Sequence, residues 1–458
     1  MIFRGGYNFK HFEGTAEPVL HELPPPRKVI IKLGDGICAS FTSLVQEGNK
    51  IRAGDIILES KNGTKISFVS PVNGTVSKID KEEIIIVSDG SASFKPVAGH
   101  TREPWHLERS EVFNLFCSTG CSFLFDNRFD SLKKCDAIKH IIINDVHNSP
   151  LNQSWIPEIF GDSRVFSNGL RTLKALFSEA EIVIAINKRN KKYFDTSDIK
   201  KHAKIMVMSD RYPQEHPELL CRDTVNKRLI SPEGEPDETV IVLQFSDVIH
   251  ISESMTQGRP LIDRILLIAA PGVSNPGWYR IRTGTIFDEI KKNLLKSDAK
   301  EPWRIIKGDP LSGEGLDSLN EPILFSDHEI SVIQEHASRD MFSFLRPGFA
   351  ADSYSKSTVA EYIPIFPKKL ETNVHGGVRP CVQCNYCDEV CPVDIYPFLI
   401  WKHVEVDTVE ECFRLRPYDC IECGLCDYVC PSKIDILSSV KNAKEEYTRL
   451  RRTDDISD

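Results

Sequence analysis

Nine of the fourteen cysteines in this 458-residue chain fall between Cys381 and Cys430, and eight of them spell one pattern twice. The first copy is Cys381-Val-Gln-Cys384-Asn-Tyr-Cys387-Asp-Glu-Val-Cys391-Pro392, and the second is Cys420-Ile-Glu-Cys423-Gly-Leu-Cys426-Asp-Tyr-Val-Cys430-Pro431. Three thiolates at two-residue gaps wrap a loop round three corners of a cubane and turn backbone N–H groups toward its sulfides. The fourth cysteine opens the next helix and points away, toward a neighbouring cluster. A proline follows where a backbone donor would be idle. The spacing therefore predicts two [4Fe–4S] clusters with crossed ligation. Cys381, Cys384, Cys387 and Cys430 hold the first, and Cys420, Cys423, Cys426 and Cys391 hold the second. Structural zinc also uses C-x2-C, but it does not ask for the x2-x2-x3-Pro grammar in duplicate. Cys412 fits neither copy and is expected as a small buried apolar residue. Cys38, Cys117, Cys121, Cys135 and Cys221 are scattered through ordinary globular segments. With no secretory signal in view, the dense group points to metal rather than disulfides.

The 28 residues between Cys391 and Cys420 carry helix-like apolar spacing at 395–403 and 409–415. A helical dicluster ferredoxin domain is expected over 371–445, with a flexible tail at 446–458. Crossed ligation makes the clusters neighbours, which is a wire and not by itself an enzyme. Between Cys381 and Cys430 ten Asp or Glu face Lys402, Arg414 and Arg416, a balance of −7 in a chain whose net charge is −9. That is either a solvated acidic surface or a docking face for a basic partner. Net negative charge argues against nucleic acid as a partner. No apolar run approaches the roughly 18 residues that a membrane helix needs. The N-terminus lacks the basic-then-apolar pattern of a signal peptide. A membrane role is expected to be peripheral, through a partner protein.

The length suggests about three domains before the tail. Residues 1–100 hold short strands at 28–33, 45–57 and 83–87, a hairpin signal at Asn62-Gly63 and the turn Pro71-Val72-Asn73-Gly74. This resembles the barrel-sandwich of biotinyl and lipoyl domains. A carrier domain would place a lysine where Gly63 stands, and Lys61 and Lys65 are out of register, so a structural barrel is expected. Residues 101–260 alternate strands at 137–144, 181–187, 203–208 and 239–245 with helices at 196–202 and from Asn168, as N-cap, to Phe177. A Rossmann-like α/β domain with a mainly parallel sheet follows. Its first strand runs into Asp145-Val-His-Asn-Ser-Pro150, without a phosphate-cradling Gly-x-Gly-x-x-Gly. Residues 261–325 suggest a small β-grasp (SLBB-like) domain, with strands at 264–270, 278–282 and 304–307 and a helix at 284–295. The loop Gly308-Asp-Pro-Leu-Ser-Gly313-Glu-Gly315 is either a plain turn or an anion cradle. Residues 326–370 are expected to be a linker.

These parts, in this order, resemble two related families. Phe3-Arg-Gly-Gly6, Leu23-Pro-Pro-Pro-Arg-Lys-Val29, Tyr212-Pro213-Gln214, 419–424 and 428–432 are similar to the RnfC component of the Rnf ferredoxin:NAD oxidoreductase complex. Gly308-Asp309-Pro310-Leu311-Ser312-Gly313, 343–348 and Thr372-Asn373-Val374-His375-Gly376 resemble the NqrA component of the sodium-translocating NADH:quinone reductase (Nqr). The Rnf resemblance implies a glycine-rich loop after the barrel holding FMN and NADH. At that place stands Phe116-Cys-Ser-Thr-Gly-Cys-Ser-Phe-Leu-Phe-Asp126, whose bulky Phe123, Leu124 and Phe125 do not suit a phosphate. FMN and NADH are therefore not expected here, as in NqrA. The NqrA family usually lacks the eight cysteines, so the chain is a hybrid. The resemblance implies a peripheral protein on the cytoplasmic face of the inner membrane. Its partners would be other subunits of a membrane redox complex, and a ferredoxin or flavoprotein. Contact with ubiquinone or menaquinone is also implied, with His375 either hydrogen-bonding a quinone carbonyl or structural. The leading expectation is an electron-relay component of an Nqr- or Rnf-type complex. The alternatives are an FMN- and NADH-binding dehydrogenase component, or a non-catalytic iron–sulfur adaptor.

Overall fold

The computed structural model describes residues 4–9, 12–33, 40–61, 66–125, 137–152, 163–295, 303–335, 354, 368–370, 372, 377–406 and 408–452. The Asn62-Gly63 hairpin, Lys65, Cys38, Cys135, His375 and the 343–348 stretch lie outside the described residues.

The N-terminal strands form two facing sheets. Lys28–Lys32, Glu83–Ser88, Gly74–Ile79 and Lys50–Ile51 make an antiparallel four-stranded sheet. Phe41–Ser43, Ile56–Ser60 and Ser67–Val69 make a three-stranded one. Alternation along each strand sends Val29, Ile31, Ile57, Phe68, Val76, Ile84 and Ile86 into one core between them. The turn Cys121–Phe125 closes one end of that core. Phe123 packs its ring against Phe41, Phe68 and Phe325, at 5.6, 4.9 and 5.7 Å between centroids.

The α/β domain is a four-stranded, all-parallel sheet in the order Lys204–Val207, Glu181–Ile186, His140–Asp145, Val240–Gln244. Its central run Ile141-Ile142-Ile143 is fully buried, as a parallel strand covered on both faces must be. Ser163–Leu176 and Phe245–Gln257 share a core on one face, and Pro217–Val225 covers the other. Asn168 is not a cap. The helix already starts at Ser163, and the Asn168 carbonyl accepts the Thr172 hydroxyl at 2.9 Å in mid-helix. The apolar stripe Phe166, Leu170, Leu173 carries the helix past the polar signal.

The next sheet has six strands, ordered Leu20–Glu22, Gly277–Arg282, Asp263–Ala269, Glu329–Gln334, Trp303–Lys307, Glu314–Gly315. Two of these come from outside 261–325. Leu20–Glu22 pairs parallel with Gly277–Arg282, and Glu329–Gln334 lies between two strands of the expected domain. The boundary at 325 therefore cuts through a sheet, and 326–334 is not linker. Likewise the helix Ile436–Arg452 runs past 445. Tyr447 is buried against the rings of Phe413 and Tyr418, so 446–452 is not a tail. Among the described residues no helix is long and apolar enough to cross a membrane.

Candidate metal centre

The two cysteine loops are copies of one backbone, offset by 39 residues (381 to 420). Gln383, Asn385 and Asp394 have φ of 53, 62 and 53°, and their counterparts Glu422, Gly424 and Lys433 have 59, 74 and 58°. Left-handed residues at matching places reverse successive peptide planes. Gln383 N–H then donates to Cys381 Sγ at 3.4 Å, and Glu422 N–H donates to Cys420 Sγ at 3.4 Å. Holding a non-glycine residue this way costs about 1 kcal/mol each, so the loops are shaped for something inside them.

Cys381, Cys384, Cys387 and Cys430 line one hollow, walled by Phe398, Trp401 and Ile436. Cys391, Cys420, Cys423 and Cys426 line a second, walled by Ile395, Leu425 and Val440. The fourth cysteine of each copy thus reaches the other copy's hollow, and Cys387 borders both. Burial pushes the Cys387 and Cys420 thiols up to about 12 and raises Cys391 and Cys426 as well. Thiols so enclosed ionise when a bound cation supplies the compensating charge. Among the described residues no three His, Cys, Asp or Glu side chains converge on a single-ion site. Zinc would gather its thiolates at about 2.3 Å from one centre. Donors spread round a hollow, with N–H groups turned toward sulfur, fit a cubane cluster instead. Cys412 is fully buried among Ile400, Val440 and Ala443, and it lines neither hollow.

The second loop faces the rest of the chain. Open parallel sheets offer a crevice beyond the carboxyl ends of their strands, and here the chain fills it itself. Asp145 accepts from Asn190 at 2.7 Å and meets His147 at 3.2 Å, while His147 N–H donates to Asn187 at 2.8 Å. Beyond Lys204–Val207, the buried Tyr212 hydroxyl donates to the Cys423 carbonyl at 2.8 Å and lies 3.3 Å from the Asp309 carboxylate. Asp309 also accepts the N–H groups of Leu311 and Ser312 at 2.8 and 3.1 Å. The Gly313 N–H donates to the Asp309 carbonyl at 2.9 Å, and the Gly308 N–H donates to the Glu329 carbonyl at 2.8 Å. The amides of Gly308, Leu311, Ser312 and Gly313 in the 308–313 loop are therefore taken up by the protein, as in a turn rather than an anion cradle. Its outer side covers the second cluster loop, where a Cβ on Gly424 would stand 2.4 Å from the Leu311 carbonyl oxygen.

Four more ties reach the cysteine module. Gly6 N–H donates to the Val390 carbonyl at 2.8 Å, and Tyr7 and Phe9 pack on the Tyr428 ring. Arg222 donates to the Pro392 carbonyl at 2.9 Å, and Arg228 pairs with Asp419 at 2.6 Å. Sequence reasoning assigned no role to Tyr212, Asp309, Arg222 or Arg228. The family-like pieces at 3–6, 212–214 and 308–313 were the available signal, since all three meet at this junction.

Behind Tyr212 and Asp309 lies Glu329, which accepts the Ser149 hydroxyl at 3.0 Å. Burial first, then the Asp309 charge, raises its carboxyl from 4.5 to about 8. The folded chain therefore keeps this proton over a range where the unfolded carboxyl has lost it. More protons bound in the folded state means stability falls as pH rises between those values. Glu329→Gln is expected to flatten that fall by up to a few kcal/mol, at about 1.4 kcal/mol per unit. Thermal unfolding at the two ends of the window measures it, and an unchanged slope would contradict the assignment.

Residues 4–86 match the family described as the NqrA N-terminal barrel-sandwich hybrid domain, and residues 380–434 match the 4Fe-4S dicluster domain. The NqrA protein of the Na(+)-translocating NADH-quinone reductase from Chlamydia pneumoniae is 27% identical over 372 residues, covering 77% of this chain and 76% of that protein. Its counterpart in Chlamydia caviae is 25% identical over 426 residues, covering 88% and 87%. The counterpart in Actinobacillus pleuropneumoniae serotype 5b is 26% identical over 403 residues, covering 84% and 85%. Among solved structures, a chain of the NAD+-reducing [NiFe]-hydrogenase in the H2-reduced state is similar at a TM-score of 0.43 and 10% identity. It covers 79% of this chain and 70% of that one, a likeness too weak to carry an argument. The chain is thus similar to NqrA proteins along most of its length and matches a dicluster domain near its C-terminal end.

Proposed function

We propose that this chain is an electron-relay subunit of a membrane-associated, ion-translocating NADH:quinone reductase of the Nqr or Rnf type. Two [4Fe–4S] clusters, ligated by Cys381, Cys384, Cys387, Cys430 and by Cys420, Cys423, Cys426, Cys391, carry the current. The observation that supports it best is Cys387, which borders both hollows and so makes the two sites neighbours. When bound, the clusters supply one-electron redox chemistry. The chain's own groups hold and insulate them. Peptide N–H groups of Gln383 and Glu422 reach the sulfurs. Phe398 and Trp401 keep one hollow apolar, and Leu425 and Val440 the other.

The electron source and sink lie outside the chain in this reading. Phe123, Leu124 and Phe125 are packed into the core where a glycine loop for FMN and NADH would be needed. Similarity to NqrA proteins supports contact with other subunits of a membrane complex and with ubiquinone or menaquinone. Those subunits would hold the chain peripherally, on the cytoplasmic face of the inner membrane. Anoxic purification with iron and sulfide counts, then EPR after reduction, tests the proposal. About eight irons and two interacting spins are expected; zinc, or one isolated cluster, would refute it.

A further inference from the structure

The two hollows differ in what surrounds them. The loop of the second is covered from outside, by Leu311 against Gly424 and by Tyr212 on the Cys423 carbonyl, whereas the loop of the first carries exposed residues. Cys381 and Cys384 are half-exposed there, next to Val382 at 67% exposure. Val378, at 74%, belongs to the same rim. Arg379 N–H donates to the Ser432 carbonyl at 2.8 Å, the Ser432 hydroxyl donates to the Pro380 carbonyl at 2.9 Å, and Ser432 lines the first hollow. Among the described residues ten large apolar side chains are exposed, and four of them, Val378, Val382, Tyr396 and Val406, fall within 378–406. Of these, Val382 lines the first hollow and Val378 is tied to it through Ser432, and exposed apolar side chains beside a site mark a contact surface.

Charge says what kind. Of the ten acids between Cys381 and Cys430, Asp419 is held by Arg228 and Arg416, and Glu422 by Lys441 and Lys444. Removing those two, with Arg416, leaves eight acids against Lys402 and Arg414. Glu389, Glu405, Glu410 and Glu411 are exposed, whereas Asp394 lines a separate cleft with Arg222 and Arg228. Glu405 ends the helix Pro397–Glu405, whose Phe398 and Trp401 wall the first hollow. Glu389 lies two residues from Cys387 and, though exposed, accepts the Tyr354 hydroxyl at 3.0 Å.

We propose that the open side of the first cysteine loop is the docking face for an electron-carrier protein with an apolar contact patch and a basic rim. This rests on the first hollow holding a cluster. A cluster held there by Cys381, Cys384, Cys387 and Cys430 would exchange one electron with the partner's centre, one being oxidised as the other is reduced, with no bond made or broken. The opposite sign of rim charge would steer the encounter and fix its orientation.

Cytochrome c, a small basic haem protein, is the probe. The whole chain, reduced anoxically with titanium(III), is mixed with ferric cytochrome c, and haem reduction is followed by stopped flow. The wild-type rate should fall with added salt. Glu389→Lys with Glu405→Lys should slow it about tenfold at low salt, converging with wild type at high salt. Val378→Ser should slow it at all salt concentrations, through lost apolar contact. Hexacyanoferrate(III), a small anion, should be reduced by the charge variant no more slowly than by wild type. A charge variant as fast as wild type toward cytochrome c, or a salt-insensitive wild-type rate, would overturn the docking face while leaving the relay intact. Iron content and EPR on the same samples separate the two ideas, because absent clusters would sink both.

Discussion

Cys430→Ser is expected to abolish the cluster of the first loop, although Cys430 belongs to the second motif. The ligand set follows the hollows and not the sequence order. Cys430 lines the space bounded by Cys381, Cys384 and Cys387, and Cys391 lines the one bounded by Cys420, Cys423 and Cys426. A hydroxyl is a poor ligand for iron that prefers thiolate, so each substitution should halve the iron, from about eight atoms to about four. The pairing separates crossed from uncrossed ligation. Crossed ligation makes the surviving EPR signal of Cys430→Ser match that of Cys384→Ser. Cys391→Ser should then match Cys423→Ser. In all four variants the coupling between two spins is lost, because only one remains. If Cys430→Ser instead shares its spectrum with Cys423→Ser, each motif holds its own cluster and the crossed assignment is wrong. Cys412→Ser serves as the internal control. That thiol sits in the apolar core of the module, so its loss should cost stability and leave the iron count unchanged.

How much of this was legible in the sequence divides along a physical line. The cysteine loops were legible because their chemistry is local: spacing of three residues and a proline set the ring of donors without help from elsewhere. The parallel strands were legible for a similar reason, since Ile141-Ile142-Ile143 announces a doubly covered strand within its own few residues. Pairing across long separations was not. Leu20–Glu22 and Glu329–Gln334 are short strands stabilised by neighbours 258 and 62 residues away (20 to 278, and 329 to 267), and nothing inside them says so. The acidic balance of the cysteine segment, correct as a count, is offset in space for the same reason. Arg228, Lys441 and Lys444 lie outside the segment in sequence but on it in space. Asn168 misled because a good capping residue also sits without harm inside a helix that begins one turn earlier.

Gly5→Ala should be strongly damaging near the cysteine module, since Gly5 meets two requirements that only glycine satisfies. Its φ is +65°, and a Cβ would stand 2.4 Å from the carbonyl oxygen of Cys391, a backbone atom that cannot step aside alone. Its own carbonyl accepts from Arg211 at 3.1 Å, and the next residue, Gly6, donates to Val390. Adding one carbon therefore pushes the N-terminal segment off the module at the residue that opens toward the second hollow. The backbone conformation alone costs about 1 kcal/mol, and the clash adds about 1–3 kcal/mol. Gly48→Ala isolates the first contribution, because Gly48 has φ +83° with nothing within 4 Å of the added carbon. Gly48→Ala is accordingly expected to lower thermal stability slightly and leave the clusters alone. Gly5→Ala should lower it several times more. It should also speed bleaching of the visible iron–sulfur absorbance in air, with the second cluster lost before the first by EPR. Equal effects from the two substitutions would mean that the contact with Cys391 is incidental, and that the close fit of the opening segment does not guard the second cluster.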